Sequence, residues 1–241
     1  MTQAVILAGG LGTRLRPVLN NLPKPLAPIL GKPFLEYQIL TLRRHALTRL
    51  VICVSYQAEK IRDYFGDGSR WGLEIIYSVE PTPQGTAGAL RYAEPLLQDE
   101  FLVLNGDTYV DLDYGQLVEW HQKTNAYATL ALTRMTEPAS YGNVSLDSNG
   151  RIFSFAEKMN GQDTAPSWVN AGVYILSRKA IHSIPRDRPA SLEHETFPLL
   201  IKQGKPVYGL PVSGYFVDIG TPSNYARFEQ DLKEGRIHVD S

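Results

Sequence analysis

Three glycines in four residues follow the first apolar run of the chain, in Leu7-Ala8-Gly9-Gly10-Leu11-Gly12-Thr13-Arg14-Leu15-Arg16-Pro17. Glycine reaches positive φ without penalty and lets the backbone come close to a ligand. Several N–H groups can then converge on phosphate oxygens, and Arg14 adds a planar cationic fork of the right shape for them. Two other phosphate loops fail by count. A dinucleotide fingerprint needs a glycine at position 15, which is leucine, and no Gly-x4-Gly-Lys string occurs. Glycines alone could equally form a tight strand-to-helix turn. Pro23-Lys24-Pro25, ten residues past Arg14, favours the ligand. Its prolines restrict the backbone on both sides of a flexible cation, although a lysine by itself is an ordinary solvated side chain.

Acidic candidates lie further on. Leu104-Asn105-Gly106-Asp107 ends an apolar run, and a carboxylate at a strand end can hold Mg²⁺ together with substrate phosphates. Asp218, in Phe216-Val217-Asp218-Ile219-Gly220-Thr221-Pro222, is the second candidate. Either one, taken singly, could be a turn or helix cap. Asp111-Leu112-Asp113 imitates an Asp-x-Asp metal motif, but its place before an amphipathic stretch at 116–124 reads as a helix cap. In Pro83-Gln84-Gly85-Thr86-Ala87-Gly88, small residues permit close approach, and Gln84 has a donor and an acceptor for a base edge. The same string also reads as a helix start capped by threonine. The five histidines are scattered without metal-ligand spacing.

The string Ala8–Arg14 followed by Pro23-Lys24-Pro25 resembles the signature of the sugar-1-phosphate nucleotidyltransferase family, and the resemblance continues to about Tyr225. It implies an α/β fold with a Rossmann-like, mostly parallel central sheet flanked by helices. This is the nucleotidyltransferase (GT-A-like) arrangement with a smaller sugar-binding lobe. It implies a nucleotide site at Leu7, Ala8, Gly9, Gly10, Gly12, Thr13, Gln84, Gly85 and Thr86, and Mg²⁺ on Asp107 and Asp218. Arg14 and Lys24 would act with those aspartates in catalysis. Tyr141-Gly142, Glu157-Lys158 and Asn170 match the family's sugar-phosphate positions by order and spacing, though each alone carries little. One departure is Leu19, where family members often carry threonine.

The implied reaction joins a nucleoside triphosphate to a sugar 1-phosphate and releases pyrophosphate. No general base is needed, because a phosphate monoester with its second pKa near 6 is already ionised at pH 7. Gly31–Tyr37, Asn105–Thr108 and Ser191–Glu195 most resemble the D-glycero-D-manno-heptose 1-phosphate guanylyltransferase branch, which points to GTP. Mannose 1-phosphate with GTP comes next, then glucose 1-phosphate with dTTP, UTP or CTP. A glycosyltransferase would share the sheet and the Asp-x-Asp but would not need Arg14 and Lys24. A sugar-nucleotide sensor would tend to lose Lys24 or an aspartate.

The elements that must position these residues alternate in the first half. Apolar runs at 4–8, 49–55, 73–79 and 101–104 read as buried strands, and 34–45, 58–65 and 86–97 have helical spacing. That rhythm predicts parallel strands with right-handed crossovers and ligands at their carboxyl ends. The second half is richer in strand, at 128–135, 143–146, 151–155 and 169–176, with helices at 192–203 and 223–234. The division expected is one domain over 1–241. Its nucleotide half covers about 1–110, its sugar half about 111–222, and its terminal helix and tail 223–241.

Of the 241 residues, 24 are Lys or Arg and 25 are Asp or Glu, so the net charge is −1. That balance argues against a nucleic-acid surface, which needs a basic excess. Bound anions must instead be held by a few placed groups. Cys53, the single cysteine of the sequence, lies in an apolar run and reads as a core residue, and one cysteine allows no internal disulfide. The chain shows neither a signal peptide nor a run of roughly 20 apolar residues, so a cytoplasmic protein without a membrane partner is expected. With little chain after Asp218, a single activity without an appended domain is expected. A homo-oligomer is compatible with the sequence but not specified by it.

Overall fold

The computed structural model describes residues 3–10, 12–15, 19, 21–135, 142–157 and 167–239. In chain order, β1 (Gln3–Leu7) leads through the glycine loop to a hairpin of β2 (Pro28–Ile29) and β3 (Lys32–Pro33). Then follow α1 (Phe34–Arg44), β4 (Arg49–Val54), α2 (Ala58–Phe65), β5 (Glu74–Val79), α3 (Gly85–Tyr92), β6 (Glu100–Asn105) and β7 (Thr108–Val110). The second half contains α4 (Tyr114–Thr124), β8 (Ala128–Met135), β9 (Gly142–Leu146), β10 (Ile152–Glu157), β11 (Ser167–Ser177) and α5 (Arg178–Ile181). It ends with α6 (Phe197–Lys202), β12 (Val207–Pro211), β13 (Phe216–Asp218) and α7 (Pro222–Lys233).

Nine strands form one sheet in the order β10-β9-β11-β6-β1-β4-β5, with β8 joining β11 to β12. The block β6-β1-β4-β5 is parallel, as expected for strands joined by helical crossovers. β11 enters beside β6 in the antiparallel sense and carries β8 and β9 with it. Alternate residues of β1 feed two separate cores. Ala4 and Ile6 pack with α1, α2 and α4, while Val5 packs with α3, α5 and α6 on the other face. Strands covered on both sides carry apolar residues at every position, which is why 49–55 reads as a continuous apolar run.

Three expected elements change shape. The helix at 86–97 ends at Tyr92 and resumes as a 3-10 turn over Glu94–Leu96, because Pro95 has no N–H to continue the ladder. The helix at 192–203 opens with a π-helical turn, Leu192–Thr196, before Phe197–Lys202. Residues 116–124 belong to a longer helix, Tyr114–Thr124, whose N-cap Asp113 accepts from the Gly115 N–H. Asp111 faces Arg44 at 3.4 Å. The Asp-x-Asp pair is thus occupied with a cap and a surface ion pair. Strands β7 and β13 were not expected, since three residues are too few to show alternation, and neither was the five-residue β12. Leu19, the departure noted above, is buried in a third core with Phe34, Tyr37, Tyr109 and Phe228.

Candidate active site

A cleft of about 240 Å³ opens at the carboxyl ends of β1, β5 and β6. Leu7, Ala8, Gly9, Gly10, Lys24, Gln84, Gly85, Thr86 and Asp107 all line it. Gly106 makes the junction possible. Its N–H donates to the Leu7 carbonyl at 3.0 Å, and a Cβ there would lie 2.6 Å from that oxygen. The loop carrying Asp107 therefore lies against the end of β1.

Asp218 reaches the same place through the β7–β13 ribbon. Asp218 pairs with Thr108 in the ladder, and the Ile219 N–H donates to the Asp107 carbonyl at 2.9 Å. Lys24 is buried on a 3-10 turn, Lys24–Leu26, preceded by Pro23 at φ −67°. Gly12, at φ +57°, allows this approach, since a Cβ there would come within 2.9 Å of Lys24 Cβ. Lys24 Nζ donates to Asp107 Oδ2 at 2.5 Å and stands 3.9 Å from Asp218 Oδ1. A Cβ on Gly220 would lie 2.7 Å from Asp218 Oδ1, 3.0 Å from Arg14 Nη2 and 3.1 Å from Lys24 Nζ. Four charged residues from three distant segments thus converge. Burial, and then the neighbouring Asp107 charge, push the Asp218 carboxyl above the usual carboxylate range, against the pull of Lys24.

Two carboxylates that repel each other and already share an ammonium ion form a place for positive charge. Among the described residues no group of three or more His, Cys, Asp or Glu converges. The donor set therefore fits a hard cation that takes one or two protein carboxylates and completes its shell with phosphate oxygens and water.

The opposite end of the cleft differs from the sequence reading. The Gln84 amide donates to both the carbonyl and the hydroxyl of Thr82, each at 2.9 Å. Beside it stands Glu80, a cleft residue that the motif search missed. Its Oε2 accepts from the Gln84 N–H at 2.8 Å, while the buried Oε1 has no partner among the described residues. A Cβ on Gly9 would lie 3.2 Å from that oxygen. Burial raises the Glu80 pKa. The signal was available, because Glu80 follows β5 just as Asp107 follows β6.

Thr86 does not cap its helix. Its hydroxyl donates to Glu193 Oε2 at 2.7 Å and accepts from the Leu192 N–H at 2.8 Å. Glu193 Oε1 accepts from the Tyr174 hydroxyl at 3.0 Å, which in turn accepts from the Asn170 amide at 2.7 Å. Asn170 is therefore linked to the cleft through Tyr174 and Glu193. The backbones of Gly142 and Glu157 are cross-strand partners in the β9–β10 ladder. Tyr141 and Lys158 lie outside the described residues, as do the side chains of Thr13 and Glu157.

This chain belongs to the nucleotidyl transferase family, whose sequence profile matches residues 3–235. It is 37% identical over 96% of its length to the mannose-1-phosphate guanylyltransferase of Mycobacterium tuberculosis, and spans 65% of that protein. It is 35% identical to the D-glycero-alpha-D-manno-heptose 1-phosphate guanylyltransferase of Campylobacter jejuni, covering 94% of this chain and 98% of that one. Its fold superposes on HddC from Yersinia pseudotuberculosis with a TM-score of 0.84 at 32% identity, over 96% of this chain and 100% of that one. HddC has also been solved in complex with GMP-PN. The chain thus spans less than two thirds of some curated relatives and nearly all of another.

Proposed function

We propose that the protein transfers a guanylyl group from GTP to D-glycero-D-manno-heptose 1-phosphate, releasing pyrophosphate and forming a nucleotide-sugar for surface glycan. The observation that carries the reaction class is the convergence of Lys24, Asp107, Asp218 and Arg14 at one end of a cleft lined by the glycine loop. A phosphate oxygen of the sugar attacks the α-phosphorus in line, and the bond to the β-phosphate breaks. The glycine-loop amides and Arg14 hold the departing pyrophosphate. Lys24 neutralises the α-phosphate, and Lys158 anchors the incoming sugar phosphate. Asp107 and Asp218 hold Mg²⁺, which supplies positive charge to the phosphates. Catalysis on this reading is positioning plus charge neutralisation.

The choice of guanine rests on Glu80. Guanine presents two adjacent donors, the ring N1–H and the exocyclic amino group, and an unpartnered carboxylate oxygen accepts from such an edge. Uracil and thymine offer one donor between two acceptors, which would face that oxygen with repulsion. By family resemblance the sugar phosphate is held by Tyr141, Gly142, Glu157 and Asn170, and Asn170 is joined through Tyr174 and Glu193 to Thr86. The heptose is supported by the likeness to the Campylobacter jejuni enzyme over 98% of its length. Mannose 1-phosphate is the second reading, supported by the 37% identity to the Mycobacterium tuberculosis enzyme. The cytoplasm is where such substrates are found, and among the described residues no helix is long and apolar enough to cross a membrane.

Pyrophosphate release across GTP, ATP, UTP, CTP and dTTP with heptose, mannose and glucose 1-phosphates tests the whole reading. GTP with the heptose phosphate should give the highest kcat/KM. Preference for a pyrimidine nucleotide would remove Glu80 from base selection, and preference for mannose would favour the second reading.

A further inference from the structure

A second cavity, of about 370 Å³, lies beside the catalytic cleft, between α3 and the loop at 185–190. Its walls include Arg91, Tyr92, Glu94, Pro185, Arg186 and Arg188. The Tyr92 ring is half exposed on a helix whose buried face is otherwise alanine, glycine and leucine. Arg91 and Arg186 face Glu94 and Arg188 faces Glu195, so a polyanion entering the groove would take the place of these carboxylates. Glu94 is occupied by Arg91 at 2.9 Å and His182 at 3.1 Å, with Arg186 more distant at 3.7 Å. Arg188 bonds Glu195 at 2.6 Å, an exposed ion pair of the kind that exchanges at little cost. Arg186 and Arg188 have side chains 75% and 56% exposed, and can therefore turn toward a ligand.

We propose that this groove binds a nucleoside phosphate, with the base against Tyr92 and the phosphates on Arg186 and Arg188. Guanidinium forks suit phosphate oxygens, and a tyrosine face accepts any base. This assignment rests on the groove's own residues and does not depend on which sugar or base the catalytic cleft prefers.

The groove is coupled to the cleft through shared backbone. Gln84 lines both cavities. The Ala190 carbonyl accepts from the Ala87 and Gly88 N–H groups at 3.0 and 3.1 Å, and the Ala190 N–H donates to the Gln84 carbonyl at 2.9 Å. Gly85 permits this contact, since a Cβ there would lie 2.5 Å from the Ala190 oxygen. A ligand that fixes the loop at 185–190 therefore fixes the first turn of α3, which forms the base end of the cleft. By linkage, nucleotide in the cleft changes affinity in the groove by the same factor.

Titration with mant-ADP, read by fluorescence, tests the site on the full chain. The wild type should bind. Arg186→Ala/Arg188→Ala should weaken binding at least tenfold while circular dichroism and basal turnover are retained. Lys24→Ala, altered only in the cleft, should bind mant-ADP within twofold of wild type. Hydrogen exchange at 84–92 and 185–190 should slow when ADP is added. Unchanged binding in the arginine variant, loss of binding in Lys24→Ala, or no binding by the wild type at millimolar mant-ADP would each overturn the proposal.

Discussion

The two ends of the cleft are assembled in contrasting ways. At the end proposed for the phosphates, Arg14, Lys24, Asp107 and Asp218 come from three distant segments, and their opposite charges meet one another. At the end proposed for the base, Glu80 and Gln84 come from one short stretch after β5, and among the described residues the buried Glu80 Oε1 is left without a partner. The first arrangement is suited to neutralising a polyanion, where loss of a charge affects rate. The second is suited to selecting an edge, where a change affects which nucleotide is used.

The largest effects should come from the phosphate end. Asp107→Asn, Asp218→Asn and Lys24→Ala should each lower kcat by roughly two orders of magnitude or more, about 3–4 kcal/mol of transition-state stabilisation. Steady-state pyrophosphate release measures this, and near-normal turnover would remove that residue from the mechanism. At the base end, Glu80→Gln should lower kcat/KM for GTP by about tenfold to a hundredfold, the worth of a charged hydrogen bond of about 1.5–3 kcal/mol. The same variant should raise activity with UTP or dTTP. An equal loss with every nucleotide would mean that Glu80 is structural and that the contrast between the two ends is false.

A buried histidine that does not line the cleft separates fold stability from site charge. His121 lies in the core between α4 and β8, where its Nδ1 meets the Thr129 hydroxyl at 2.8 Å. Burial lowers its pKa from 6.5 to about 4. The unfolded chain therefore takes up its proton first, and stability falls as pH drops below about 6.5. Urea unfolding should show about 2 kcal/mol less stability at pH 5 than at pH 7.5 from this group. His121→Gln should flatten that part of the profile. Smallest is the link between the nucleotide and sugar sides. Glu193→Gln should cost about 1 kcal/mol of stability by weakening its bonds to Thr86 and Tyr174. It should also raise KM for the sugar phosphate more than for GTP. Equal changes in both KM values would mean that Glu193 serves the fold alone.

Much of the parallel sheet was legible in the sequence, because strands buried on both faces carry unbroken apolar runs and the intervening helices show their own period. The ribbon that brings Asp218 to Asp107 was not legible, since three-residue strands carry no pattern. Only the family resemblance joined those two residues before the fold was known. Glu80 escaped because no glycine motif surrounds it, although its place after a parallel strand is the same cue that singled out Asp107. Gln84 lines the cleft as expected, and its local bonds show a second effect. Its side chain had the chemistry to read a base, yet the turn at Thr82 takes up its donor. Residue type showed what each side chain could do, and the local hydrogen bonds decided whether it was free to do it.

The central claim is that two distant carboxylates and a buried lysine together face a triphosphate. Pyrophosphate release from GTP and a sugar 1-phosphate, compared between the wild type and Asp218→Asn, tests it most directly. The account predicts release by the wild type and a loss of about a hundredfold or more in the variant. Absence of pyrophosphate with every triphosphate, alongside sugar transfer from a ready-made nucleotide-sugar, would contradict it.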